Sequence, residues 1–185
     1  GPRAARARFV LIEGGAGIGK SRLAWEFRQG LLDRAEETPL RLGRCHERSP
    51  LPLEPFAEMV QRRAKTGTGD AEAAAKLATS LLEDFEGSGP DATTRENYAH
   101  LMTLSIGVDV PGARVKHIEP TRMAPEMRHA WHMWVRSLSR RGAVVLVAED
   151  LHWANESTWT LLEYLAGHLV EERVLVIGTR RLEEA

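Results

Sequence analysis

One cysteine, Cys45, stands in 185 residues, so the chain has no intrachain disulfide, and a reducing, cytosolic setting fits. A surplus of charge is also missing. The net charge of −1 gives no global attraction to nucleic acid or to an anionic membrane, and neither is expected as a partner. The longest apolar run, Ala143-Val144-Val145-Leu146-Val147-Ala148, is far shorter than the ~20 residues that span a bilayer. No signal peptide is visible. No Ser/His/Asp arrangement has supporting context. What remains is an ordinary globular composition, 43% hydrophobic and 28% charged, long enough for one domain with a real core. The opening Gly1-Pro2 reads as the scar of a cleaved tag, with residues 1–7 as remnant or linker and 8–185 as the core.

Against these absences stands Gly14-Gly15-Ala16-Gly17-Ile18-Gly19-Lys20-Ser21, which fits G-x-x-x-x-G-K-[ST] at every fixed position. Phe9-Val10-Leu11-Ile12 precedes it and a helix-like run to Arg28 follows it. Strand, glycine loop and helix together turn backbone N–H groups toward a phosphate chain. Glycines are needed because a Cβ would block that approach. In such a loop Lys20 reaches the β- and γ-phosphates and the Ser21 hydroxyl is a magnesium ligand.

The remaining pattern alternates strands and helices. Arg8 to Glu13 reads as a buried parallel strand. The next helix is expected to bury Leu23, Ala24, Phe27 and Leu31, with Trp25 and Glu26 off that stripe. Leu40 to Cys45 reads as a second strand, and a proline-stiffened loop leads to a helix opening at Pro55. Loops are expected at Thr66 to Asp70 and Gly107 to Glu119, and a flexible linker at Gly87-Ser88-Gly89-Pro90. Between them lie helices over Ala71–Phe85 and within Thr93–Ser105, so an extra helical segment occupies about 66–122. A helix over Pro125–Arg141 places Met127, Trp131, Trp134 and Leu138 on one side. Glu126, His129 and His132 have metal-like spacing, but both histidines lie opposite that stripe and are expected on a solvated face. Cys45-His46 has no partners for a metal site. Ala143–Ala148 and Val174–Gly178 read as strands, with a helix between them capped by Asn155 and burying Trp159, Leu162, Leu165, Ala166 and Leu169.

This alternation predicts an α/β fold, a three-layer core with a parallel sheet of at least four strands and helices on both faces. Ligands of such sheets bind at the carboxyl ends of the strands. The glycine loop, Glu149-Asp150 and Thr179-Arg180-Arg181 all lie at such ends. A magnesium nucleotide needs carboxylates opposite its phosphate loop, one for the metal shell and one to orient or deprotonate water. Adjacent residues on an extended chain point apart, so Glu149 and Asp150 suit two roles. Either arginine is a candidate to sense a γ-phosphate.

Val10 to Leu23 resembles the Walker A segment of STAND-type, AAA-like signalling ATPases. Val144 to Asn155 resembles their Walker B segment, where an acidic pair precedes Leu-His-Trp-Ala-Asp. Val176-Ile177-Gly178-Thr179-Arg180-Arg181 is similar to their fourth strand, and Gly43-Arg44-Cys45 followed by Pro52 to Phe56 to their second strand and loop. The resemblance implies an ASCE-division P-loop NTPase, with the Walker B strand not directly beside the phosphate-loop strand. It implies ATP or ADP with magnesium, and the absence of an Asn-Lys-x-Asp motif agrees. By that match Arg181 is the sensor arginine, and Gly14, Gly15, Ala16, Gly17, Ile18, Gly19, Lys20, Ser21 and Arg22 form the nucleotide-binding segment. The fifth strand and the helical and winged-helix parts of such modules are missing, so the stretch reads as a truncated core.

The resulting expectation is an ATPase switch within a larger cytoplasmic regulator, with Lys20 on phosphate, Ser21 and Glu149 on magnesium, and Asp150 preparing water. The other domains of its own chain are the expected partners, and oligomerisation on activation is compatible. The alternative is a latch that holds ADP or ATP without hydrolysis. A small-molecule phosphotransferase is a third reading, but no acceptor site is visible.

Overall fold

A computed structural model describes residues 6–33, 38–66, 70–112 and 118–182. Parts of the expected tag remnant and of the loops around 66–70 and 107–119 lie outside the described residues, as does the side chain of Leu31. The elements run β1 (Arg8–Gly14), α1 (Lys20–Asp33), β2 (Leu40–Arg44), α2 (Glu54–Ala64), α3 (Ala71–Phe85), α4 (Ala92–Ser105), α5 (Pro120–Arg141), β3 (Val144–Glu149), a 3-10 turn (Leu151–Trp153), α6 (Glu156–His168) and β4 (Val174–Arg181).

The strands form one sheet in the order β1-β4-β3-β2, and every pair is parallel. β4 therefore separates β1 from β3, the order that the resemblance implied. The same order decides where the helices go. The β1–β2 connection crosses the sheet one way, whereas the β2–β3 and β3–β4 connections step back. Right-handed crossovers put helices of opposite steps on opposite faces. Hence, among the described residues, α1 has one face to itself, packing Ala24 against Val145, Val147 and Ile177. The other face carries the large core, where Phe56, Met59, Leu77, Phe85, Met102, Trp131, Trp134 and Leu138 meet Leu146, Leu161 and Leu165.

Two burial expectations fail because of this arrangement. β1 is parallel but not buried. Among the described residues it lies at the sheet edge, paired with β4 alone, and leaves Val10 and Leu11 46% and 43% exposed. The α1 stripe is not buried either, since only Ala24 is inside while Leu23 and Phe27 are 58% and 38% exposed. No second helix flanks α1 among the described residues to complete that layer.

Other differences are local. α5 begins at Pro120, not Pro125, because Pro120 needs no N–H in the first turn and Arg122–Glu126 ties the turns together at 2.7 Å. The 87–90 linker is held rather than loose. Ser88 Oγ donates to Phe85 O, Arg140 donates to Ser88 O, and Arg141 donates to Glu83 O and Glu86 O. His132 is buried, because α6 covers that side of α5 with Tyr164 and His168. In α6, Leu161 is buried while Ala166 is exposed and Trp159 half-buried. Capping is as the side chains dictate, with Asp70, Asp91 and Asn155 each accepting from the N–H three residues on.

The large face also encloses a polar knot. Asp84, 2% exposed, accepts from Trp134 Nε1 at 2.9 Å, and its carbonyl accepts from Ser137 Oγ at 2.7 Å. Arg41 and Arg63 stand 3.7 and 3.9 Å from the carboxylate. Burial lowers the Arg41 guanidinium from its ordinary value, and Asp84 partly offsets that. Burial likewise pushes the Cys45 thiol up to about 12, which makes it inert.

Candidate functional site

The loop between β1 and α1 turns on left-handed glycines, Gly17 at φ 73° and Gly19 at φ 96°. At Gly14 a Cβ would lie 2.1 Å from Ile18 Cδ1, a contact relieved by turning that 66% exposed side chain, so glycine is not required there for space. Lys20 Nζ donates to Gly14 O at 2.9 Å and to Gly15 O at 2.6 Å, so the ammonium sits within the loop.

Opposite the loop, β3 ends in Glu149 and the chain turns sharply at Asp150. Asp150 has φ 57° and ψ 41°, a left-handed conformation costly for a residue with a Cβ. Two bonds hold the turn. Asp150 N–H donates to the Oγ1 of fully buried Thr179 at 3.0 Å, and Trp153 N–H donates to Asp150 O at 2.9 Å. The turn carries His152 to β4, where its Nδ1 accepts from Arg181 N–H at 3.3 Å.

These pieces surround one cavity of about 280 Å³. Ala16, Gly17, Gly19, Lys20, Ser21 and Arg22 line one side, and Asp150, His152 and Arg181 the other. Gly14, Gly15 and Ile18 shape the loop without lining the cavity. Glu149 is elsewhere. It lines a neighbouring space of about 420 Å³ with Arg44, Trp25, Arg28 and Leu42, which Ser21 and Arg22 also reach. Arg180 leaves the site altogether, pairing with Glu13 and lying over Trp159.

Three side chains that the motifs did not single out as site residues complete the arrangement. Arg44 stands opposite Glu149 in the parallel register. Its Nη2 and Nε donate to Glu149 Oε2 at 2.6 and 3.3 Å, and Nε lies 3.5 Å from Asp150 Oδ2. The bond to Glu149 raises the Arg44 guanidinium above its ordinary value. The signal was a basic residue at the carboxyl end of β2, readable only once β2 is known to neighbour β3. Thr179 and His152 were visible as parts of motifs, but their contacts depend on β4 lying beside β3.

Lys20 and Arg181 bring cationic donors to the cavity lining and Asp150 brings a carboxylate. That donor set fits a polyphosphate. Among the described residues no group of three or more His, Cys, Asp or Glu side chains could hold a metal. Magnesium bound with a nucleotide needs only one or two protein groups beside phosphate oxygens. The sequence model of the AAA ATPase domain matches residues 1–177. This chain belongs to the AAA ATPase domain family.

As an AAA ATPase domain it is a P-loop nucleotide-binding module. It is 28% identical over 186 residues to "Uncharacterized protein R02095" of Rhizobium meliloti (strain 1021), covering 98% of this chain and 17% of that protein. A solved structure, the cytoplasmic domain of the Thermomonospora curvata Type VII secretion ATPase EccC, aligns over 94% of this chain and 16% of its own, at 14% identity and a TM-score of 0.38. The domain thus spans less than a fifth of either protein. Among the described residues no helix is long and apolar enough to cross a membrane.

Proposed function

We propose that this domain binds ATP with magnesium and hydrolyses it slowly, as the nucleotide switch of a larger cytoplasmic signalling or transcription regulator. The observation that carries this reading is the single cavity shared by the glycine loop, Asp150 and Arg181. Loop N–H groups and Lys20 hold phosphates, for which Lys20 exchanges the Gly14 and Gly15 carbonyls for phosphate oxygens. Ser21 and Glu149 hold magnesium, which neutralises phosphate charge when bound. Asp150, fixed by Thr179, orients and deprotonates water, and Arg181 meets the terminal phosphate. The resemblance of Glu149-Asp150-Leu151-His152-Trp153 to the STAND segment supports the placement in a multidomain regulator.

A second reading is a latch that keeps ADP or ATP without turnover. The Arg44–Glu149 pair favours it, since a guanidinium already neutralises the carboxylate assigned to magnesium. Two measurements separate the readings. Lys20→Ala is expected to weaken Mg–ATP binding about ten- to hundredfold, the worth of a charged hydrogen bond. Unchanged affinity would remove the site assignment. Phosphate release by a full-length protein, abolished by Asp150→Asn, is the mark of the switch. Tight ADP retention with no release is the mark of the latch.

A further inference from the structure

His152 carries an imidazole with two different environments. Nδ1 accepts the N–H of Arg181, so the ring proton resides on Nε2. That Nε2 is buried and has no hydrogen-bond partner among the described residues. A buried donor without a partner is rare in native structures and calls for an explanation. The residue lines the phosphate cavity together with Lys20, Asp150 and Arg181. It also sits on a braced turn, with Asp150 tied to Thr179, Trp153 N–H tied to Asp150 O, and the His152 ring centroid 4.9 Å from that of Trp153.

We propose that His152 distinguishes a nucleoside triphosphate from a diphosphate, its Nε2–H donating to the terminal phosphate while Nδ1 holds the backbone of Arg181. The inference rests on the proposed nucleotide reading of the same cavity. The loop wall takes the phosphates common to ATP and ADP, and Lys20 spans the β- and γ-phosphates. The opposite wall, formed by Asp150, His152 and Arg181, is left to meet a third phosphate. Because one ring contacts both that wall and β4, occupancy of Nε2 fixes the backbone that bears Arg181. The sensing arginine is then positioned by the phosphate it senses.

Two isosteric halves of histidine test this in the full chain. In His152→Asn the side-chain oxygen takes the place of Nδ1, so the Arg181 contact survives and the donor is lost. In His152→Gln the amide nitrogen takes the place of Nε2, so the donor survives. The readouts are equilibrium affinities for Mg–ATPγS and Mg–ADP, with the melting temperature of each variant alone as a fold control. His152→Asn is expected to weaken Mg–ATPγS about tenfold and to leave Mg–ADP unchanged. His152→Gln is expected to keep the parental preference. A ¹⁵N spectrum of the parent should move the His152 Nε2 resonance with Mg–ATPγS and not with Mg–ADP. Equal loss of both nucleotides in His152→Asn, or a parental ratio in it, overturns the proposal while the nucleotide site stands. A parent that binds neither nucleotide overturns both.

Discussion

The two faces of the sheet differ in what they bury. On the α2–α6 face, Trp131 and Trp134 are fully buried edge to face, with centroids 5.5 Å apart, and Asp84 is locked among Trp134, Ser137 and two arginines. On the α1 face, four small or branched side chains form the cluster, while Leu23, Trp25 and Phe27 stay exposed. Hydrophobic stabilisation follows buried apolar area, so the folded state is held mainly from the helical side. The cavity lies at the carboxyl edge between these regimes. Its Asp150–His152–Arg181 wall hangs from strands backed by the large core, and its loop wall leads into the thinly packed helix. Ligand-binding loops are commonly drawn from the less stable parts of a fold, where they can adapt.

The largest test of this contrast is Trp134→Ala. Removing a fully buried indole costs about 3–5 kcal/mol, and here it also strips the Asp84 carboxylate of a donor. Denaturant unfolding should show a loss in that range. A loss of about 1 kcal/mol, the centre of ordinary substitutions, would mean that the helical face is not the rigid one.

Arg44→Ala comes next, and it probes the seam between the faces. Glu149 is 5% exposed and would lose its cation. Breaking a buried ion pair costs ~3–5 kcal/mol, but the Arg44 side chain is 46% exposed, so about 1–2 kcal/mol is expected. Under the proposed function the same variant should need less magnesium to bind ATP, because the metal no longer competes with a guanidinium. A titration of binding against magnesium checks this, and an unchanged midpoint would separate Arg44 from the metal site.

How much of this was legible in the sequence depended on what each feature needs. The glycine loop was readable because its requirements are local, a run of eight residues between an apolar strand and a helix. The fold followed from the alternation of such elements, and α3 appears at the bounds that its alanine- and leucine-rich stretch predicts. Burial was less readable because it depends on neighbours. Leu23 and Phe27 have the spacing of a core stripe, yet strand order leaves α1 alone on its face among the described residues. His132 has the position of a solvated residue, yet α6 covers it. Arg44 was read only as part of a strand, since its contact spans 105 positions in sequence and needs the β2–β3 pairing.

His132 supplies a smaller effect on the stable side. Burial is the main cause that lowers its imidazole from the ordinary value, and His129, His168 and Arg136 add to the lowering while Glu172 opposes it. Both ring nitrogens are buried without hydrogen-bond partners among the described residues. The unfolded chain therefore binds the proton more readily than the folded one. The contribution of this residue is full above pH ~6.5, the unfolded value, and is lost as pH falls below it, by at most ~1.4 kcal/mol per pH unit. Unfolding measured from pH 7.5 down to pH 5 should show that slope in the parent and a shallower one in His132→Phe. Identical slopes would place the acid sensitivity elsewhere.

The smallest expected change is the sharpest test of the thin face. Leu23 occupies the spacing that a packed α1 would use, but it is 58% exposed. With so much of the side chain already in water, Leu23→Ser removes little buried area, and only the modest helix propensity difference remains. Its cost should stay within about 0.5 kcal/mol, as for surface substitutions in general. A loss several times larger would mean that something covers α1 in solution. In that case Trp25 and Phe27, exposed on the same helix, should become sensitive as well, and the apparent difference between the two faces would belong to the isolated domain and not to the protein at work.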